Sequence, residues 1–264
     1  MMRVTPVSAL SNCSLVVITL NEEDRIARCL KSIAGAGEFV VVDSFSGDRT
    51  VEIARAHGAR VYQREFTTAA DQKNWAIGKA EKDWILLLDA DEALSPELLQ
   101  EMEKALAGPR ADGYRLRRRS EFFGRTIRHC GWGDEWILRL FRRGKGHYPE
   151  REVHERLVLD GHASRLEGCI EHRPYRDVAD YIDRMKSYGL RGAVELHKKG
   201  KPWFPGIFIH PAARFIRMYL VQLGFLDGTS GFVLCALAST GVLIKYAALR
   251  ELSGSGAGRR TGGT

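Results

Sequence analysis

Four short apolar runs, spaced by helix-length stretches, constrain the fold of this chain more than any other feature. Residues 14–19 (SLVVIT), 39–42 (FVVV), 59–62 and 84–88 (WILLL) each read as a buried strand. Helical signals lie between them. Asn21 is placed to cap a helix whose first turn carries Glu22, Glu23 and Asp24, where acids favour the helix dipole. Ile26, Leu30 and Ile33 then follow on one helical face. Residues 50–57 and 71–79 predict two further helices, and Ser95 followed by Pro96 opens another. Strands alternating with helices give an α/β fold with a mainly parallel sheet. Ligands of such sheets collect at the carboxyl ends of the strands. Thr19, Asp43, Asp89 and Asp91 all fall at those ends.

Charge is unevenly distributed along the 264 residues. The formal net charge is +7, yet residues 1–109 carry 12 basic and 17 acidic groups, while residues 110–156 carry 13 and 7. The basic middle suits phosphates on nucleotides, nucleic acid or anionic lipid, and equally a solvated basic face. Five scattered Cys with no CxxC argue against a disulfide scaffold or structural zinc and fit a reducing compartment. The N-terminal MMRVTPVSALSNCSLVVITL has one basic residue before its apolar run and reads as a first strand rather than a signal peptide.

Asp89-Ala90-Asp91, following an apolar strand, is the most informative local motif. Two carboxylates one residue apart can face a divalent cation, since Mg²⁺ and Mn²⁺ prefer oxygen ligands and Mg²⁺ is commonly held by one or two carboxylates plus substrate phosphates. Standing alone, the motif is as easily a solvated loop. Asp43 offers acceptors to a nucleobase or ribose, or else caps the turn of SFSGD. Lys73, at a helix start between the acidic sites, meets a phosphate or lies on the surface.

The blocks VVITLNEEDRIARCLKSI, VVDSFSGDRTVEIA and QKNWAIGKAEKDWILLLDADE, in this order and spacing, resemble the inverting glycosyltransferases of family two. The resemblance covers residues 14–200. It implies a GT-A fold: a Rossmann-like, mixed, mainly parallel sheet flanked by helices, here with a helical C-terminal extension. A closer similarity, carried by WILRLFRR, REVHERLV and HPAARFIRMYLVQLGFLDG, is to glucosyltransferases that act on a heptose of the lipopolysaccharide core. By resemblance, Thr19, Asn21, Glu23 and Asp43 line the nucleotide pocket with Lys73 nearby, and Asp89, Ala90 and Asp91 form the metal and diphosphate motif, with Mg²⁺ or Mn²⁺ as cofactor. His172 is a further candidate metal ligand, or a strand-end His bonded to backbone.

An inverting transfer needs one general base for the acceptor hydroxyl. The resemblance places a His-Glu pair at His154-Glu155, making Glu155 the first candidate. Asp134 and Glu135 compete, and Glu155 could instead be half of an exposed ion pair with Arg151 or Arg156. Arg139, Arg142 and His154 are the candidate acceptor contacts, because the runs RLRRR and RLFRR suit an acidic acceptor. No Ser-His-Asp layout and no Walker-type loop is visible, and nucleic acid is disfavoured by the lack of an RNP-type motif or a helix-turn-helix. Rival functions are transfer to a polyprenyl phosphate and a non-catalytic module that binds sugar nucleotides.

Residues 201–211, with three prolines, read as a hinge. The expected organisation is a catalytic domain over 1–200, an apolar and basic helical extension over 201–252, and a flexible Gly/Ser-rich tail over 253–264. Residues 231–249 fall just short of the roughly 20 needed to span a bilayer. Arg214 and Arg217 among aromatic and aliphatic residues suit a helix lying on an anionic surface, hence a peripheral protein at the cytoplasmic side of a bacterial inner membrane. The sequence does not fix the oligomeric state.

Overall fold

The computed structural model of the protein describes residues 8–133, 135–149 and 156–257. In chain order the elements are β1 (Cys13–Thr19), α1 (Ile26–Lys31), β2 (Glu38–Asp43), α2 (Thr50–Ala56), β3 (Arg60–Gln63), α3 (Ala69–Ile77), β4 (Trp84–Asp89), β5 (Glu92–Leu94), α4 (Pro96–Ala107), β6 (Gly113–Phe122), β7 (Arg125–Thr126), β8 (Glu135–Arg142), β9 (Gly146–His147), β10 (Val158–Leu159), β11 (Ala163–His172), α5 (Val178–Lys198), α6 (Gly206–Ile216) and α7 (Gly228–Ala257). Contacts divide the chain into two units: Met1–Arg119 with Asp134–His172, and Ser120–Gly133 with Arg173–Thr264. The division groups α5 with the C-terminal helices, which differs from the boundary expected after residue 200.

In the first unit β1 lies between β2 and β4, all parallel. Both faces of these strands are covered. Leu15, Val17, Val41, Leu86 and Leu88 pack on one side, and Val16, Val40, Val42, Ile85 and Leu87 on the other. That is why the sequence shows unbroken apolar runs instead of alternation. The register sets Thr19 beside Asp43 and Ile18 beside Asp89, so three strands present polar residues along one edge.

The strand path is β3-β2-β1-β4-β8-β6-β11-β5. Its last member, β5, is separated from β4 in sequence by Ala90 and Asp91 alone. Two residues of extended chain span only about 7 Å, while three strands intervene along the path. The sheet must therefore curl until β5 returns beside the end of β4, in keeping with the natural twist of strands. The curl brings the start of β8 and the end of β11 together at the carboxyl end of β4.

Local expectations and structure differ in three places. Asn21 does not cap α1: it adopts a left-handed φ of 55°, and the helix starts later, after Arg25, with no acid in its first turn. The proline-rich stretch is not a hinge throughout, because α6 begins at Gly206 and contains Pro211. Pro211 is buried, and its carbonyl accepts a hydrogen bond from Ser239 Oγ at 2.7 Å, so packing against α7 outweighs the missing backbone donor. The expected flexible tail is helical up to Ala257, as the last turns of α7.

In the second unit α7 packs along α5 and α6. A cluster of Phe122, Ile127, Cys130, Tyr181, Met218, Leu234 and Cys235 forms its core. The side chains of Phe208, Ile216, Leu220, Val221 and Leu226 stay exposed, Val221 by 72%.

Candidate active site

Two cavities in the first unit meet at Asp89. One, of about 280 Å³, is lined by Ile18, Thr19, Leu20, Glu22, Ser44, Phe66, Asp89, Ala90 and Asp91. The other, of about 440 Å³, is walled by α3, β6 and β8, with Lys73, Asp89, Arg118, Arg139 and Tyr148 among its residues.

Asp89 ends β4 as a carboxylate held by cations. Its Oδ2 accepts from Arg139 Nη2 at 2.8 Å, and its Oδ1 lies 3.4 Å from Lys73 Nζ. Burial pushes the carboxyl up, but the charges of Arg139 and Lys73 and the Arg139 hydrogen bond outweigh it and hold Asp89 well below the usual carboxylate range. Arg139 also reaches Glu92 Oε1 at 3.4 Å, and Arg118 Nη1 lies at the same distance from that oxygen. Glu92 is fully buried and accepts from the Asp89 backbone N–H at 3.0 Å. Burial raises its pKa against the lowering pull of Arg139. Glu92 thus fixes both the backbone of Asp89 and the arginine that holds its carboxylate.

Asp91 is placed differently. His172 Nε2 stands 3.5 Å from its Oδ2, because β11 pairs antiparallel with β5 and sets His172 against Glu92. The Oδ1 of Asp91 is buried without a partner. Of five such buried orphan atoms among the described residues, three belong to this site: Thr19 Oγ1, Asp91 Oδ1 and Arg139 Nη1. Leaving a buried polar group unpaired costs about 1–3 kcal/mol, more for a charged one. Their concentration here marks a place built to receive a polar ligand. Asp91 fits a divalent cation in this respect, keeping one buried carboxylate oxygen unpaired. No group of three or more His, Cys, Asp or Glu among the described residues forms a closed metal cage, so phosphate oxygens would supply further ligands, as Mg²⁺ sites commonly allow.

The other expected donor contacts are engaged within the protein. Asp43 is fully buried, and its carboxylate accepts from Ser46 N at 2.9 Å, from Ser46 Oγ and from Gln63 Nε2 at 3.3 Å. These are the bonds of the turn-capping alternative. Asn21 Oδ1 accepts from Gly47 N at 2.9 Å, and Glu23 Oε2 accepts from Arg49 N at 3.1 Å. Both tie the loop after β1 to the loop after β2. Sequence reading missed Glu22, Ser44, Phe66 and Glu92. Ser44 is in turn braced by Gln72, whose amide donates to its Oγ at 3.2 Å.

Arg139 lines the larger cavity, but Arg142 does not. β8 runs antiparallel to β4 and pairs Arg142 with Trp84, at the opposite end of β4 from Asp89. There the Arg142 guanidinium lies 4.9 Å from the Trp84 ring and 4.0 Å from Asp112. Glu135 lines the cavity and pairs with Arg118 at 2.6 Å. Asp134, His154 and Glu155 lie outside the described residues.

A parallel sheet carrying a cavity, an acid pair and converging cations at its carboxyl ends is the layout of an enzyme for phosphate-bearing cosubstrates. Residues 14–156 match the model of Glycosyl transferase family 2, and the chain belongs to that family. It is therefore a glycosyltransferase with a fold of GT-A type, as the motif blocks led one to expect. It is 28% identical over 229 residues to the lipopolysaccharide core biosynthesis glycosyltransferase LpsC of Rhizobium meliloti, covering 83% of this chain and 85% of that protein. An uncharacterized glycosyltransferase of Rickettsia typhi is also 28% identical, over 91% of this chain and 87% of its own length. Among solved structures, S. aureus TarS in complex with UDP-GlcNAc aligns over 92% of both chains, with 14% identity and a TM-score of 0.48.

Proposed function

We propose that the protein is an inverting hexosyltransferase that moves a sugar, glucose in the first instance, from a UDP-sugar to an inner-core heptose of lipopolysaccharide. The orphaned, buried Oδ1 of Asp91 on the wall of the smaller cavity carries this reading. A binding module has no need of an opposed base as well as an unpaired carboxylate oxygen. A sugar-nucleotide transferase needs one for the cation on its diphosphate. When bound there, Mg²⁺ or Mn²⁺ neutralises charge on the departing diphosphate. The similarity to a lipopolysaccharide core enzyme supports the acceptor class.

The smaller cavity takes the donor, with Thr19 Oγ1 free to bond it and Phe66 and Leu20 as apolar walls. The larger cavity takes the acceptor. In the reaction the acceptor hydroxyl oxygen attacks the anomeric carbon and the bond to the diphosphate oxygen breaks, so the configuration inverts. The hydroxyl proton passes to a carboxylate, for which Glu155 is the proposed base and Asp134 and Glu135 the competitors. Lys73 and Arg139, holding Asp89 between the two cavities, add positive charge where the leaving group develops its negative one.

The second unit is proposed to bind the cytoplasmic face of a bacterial inner membrane. Arg214 and Arg217 lie in a stretch where Phe208, Ile216, Leu220 and Val221 are exposed. Gly224–Gly254 is also a helical stretch of 31 residues, long and apolar enough to cross a membrane. Peripheral attachment is the reading favoured by the exposed apolar residues beside arginines. The test is a transfer assay on purified protein with a panel of UDP- and GDP-sugars, with and without Mn²⁺ or Mg²⁺, and heptose-terminated core lipid as acceptor. Transfer that needs both cation and core lipid is expected. Absence of transfer and of donor hydrolysis under every combination would sink the proposal.

A further inference from the structure

The second unit carries a cavity of its own, of about 220 Å³. It shares no residue with the two cavities that meet at Asp89. Its wall includes Glu121, Phe123, Arg173, Tyr175, Arg176 and Asp177. Phe123 stands at the tip of the hairpin between β6 and β7. Phe122 pairs with Arg125, so Phe123 and Gly124 are the two turn residues, and their φ angles are 52° and 70°. A two-residue hairpin turn with both φ values positive favours Asn-Gly or Gly-Gly. A bulky side chain at its first position is strained. Backbone strain of this kind collects where a ligand is held. The ring it keeps in place is 39% exposed and lies against the buried Phe122 ring, with centroids 3.9 Å apart and planes tilted by 40°. Tyr175, on the same wall, is fixed by the Trp132 ring stacked at 6.1 Å and by the Tyr181 ring at 4.6 Å.

The charged part of the lining is two acids and two arginines, so the wall carries no net charge. Arg173 Nε donates to Glu121 Oε2 at 2.7 Å, which sets a donor group and an acceptor group side by side. Such a wall gives an anion as much repulsion as attraction. A hydroxyl both donates and accepts, so a ring of hydroxyls matches alternating arginines and acids. The C–H face of a sugar ring is apolar and suits an exposed aromatic ring held rigid from below. We infer that this cavity binds a single uncharged sugar residue, stacked on Phe123 and bonded through its hydroxyls to Glu121, Arg173, Arg176 and Asp177. The volume suits one ring rather than a chain. This is a saccharide site additional to the donor and acceptor cavities proposed above, and it does not depend on how those two are assigned.

The experiment is saturation-transfer NMR on the full-length protein with the methyl pyranosides of glucose, galactose, mannose and a heptose, each with UDP and Mn²⁺ added in excess. At least one glycoside is expected to receive saturation at its ring C–H protons. Phe123→Asn supplies a residue that the turn prefers. It is expected to melt at or above the wild-type temperature and to weaken that glycoside about ten-fold or more. Phe123→Gly tolerates positive φ equally well and is expected to show the same loss, which separates ring loss from any effect peculiar to Asn. Phe123→Trp keeps an aromatic face and is expected to retain binding. Absence of saturation transfer to every glycoside overturns the inference. So does wild-type affinity in folded Phe123→Asn, which would put the sugar elsewhere. Binding of glucose 6-phosphate where methyl glucoside fails would make the ligand an anion and overturn it as well. None of these results bears on transfer to core lipid, which the transfer assay decides separately.

Discussion

Replacing Arg139 with Met tests the buried charge network most directly. The Arg139 side chain is 7% exposed and serves two carboxylates, Asp89 and the fully buried Glu92. Met fills similar apolar volume but leaves both acids without their shared cation. Breaking a buried pair from one side costs about 3–5 kcal/mol. Arg118 remains 3.4 Å from Glu92 and Lys73 3.4 Å from Asp89, so the low end, about 3 kcal/mol, is expected. For a chain of this size that is a fall in Tm of roughly 6–12 °C. The pH dependence has a definite sign. In the wild type Asp89 is held below the usual carboxylate range, so its ionised form adds stability above its unfolded pKa, and that stability is lost only as pH falls through the depressed value. Without Arg139 burial dominates at both acids and raises both pKa values. An acid whose folded pKa is raised costs nothing below its unfolded pKa and costs more as pH climbs through the folded value. The variant should therefore lose more stability at pH 7 than at pH 4.5. Adding Glu92→Gln should recover part of the loss at pH 7. Thermal and urea melts of the three proteins at both pH values are the assay. A variant melting within 1–2 °C of wild type at pH 7, or losing as much at pH 4.5, would refute the reasoning.

Asp91→Asn should lower transfer on the order of a hundred-fold or more and abolish the gain in UDP affinity on adding Mn²⁺, as read by steady-state kinetics and calorimetry. Glu155→Gln should reduce transfer by about 10²–10⁴ with UDP affinity unchanged; full activity there, with loss in Glu135→Gln, would move the base to Glu135. Gly168→Ala should destabilise the first unit by about 1–3 kcal/mol in urea melts, because a Cβ there would sit 2.5 Å from the Leu98 backbone of α4. Phe208→Asp with Val221→Asp should reduce co-sedimentation with vesicles of anionic phospholipid and leave soluble-acceptor kinetics unchanged; equal sedimentation would place the lipid contact elsewhere.

The doubly buried strands were legible because burial on both faces removes alternation, leaving runs such as WILLL that can hardly be surface. Their polar ends were legible for the same reason: Thr19, Asp43 and Asp89 interrupt apolar runs. Partners were not. Asp43 and Asn21 are polar groups at strand ends whose protein partners the sequence does not show: Ser46 and Gln63 for Asp43, and Gly47 for Asn21. Glu92 was hidden as the last letter of DADE, an ordinary exposed acid to any reading of composition. A signal did exist in WILRLF, where Arg139 stands alone in an apolar strand and must have a buried counter-charge. Finding which acid needed the curl of the sheet. The antiparallel direction of β8 likewise separates Arg139 from Arg142, two arginines the sequence treats as equals. Pro211 misled because the rule against internal proline concerns the lost backbone donor, while α6 is held by what it packs against.

Asn21 and Glu23 bond the loop after β1 to the loop after β2, and Asp43 bonds Ser46 in that second loop and Gln63 on β3. None of these three residues lines the smaller cavity, whose wall includes Ser44 and Phe66. On the proposed donor assignment, exchange of Ser44 or Phe66 retunes which activated sugar the cavity admits and leaves those bonds in place.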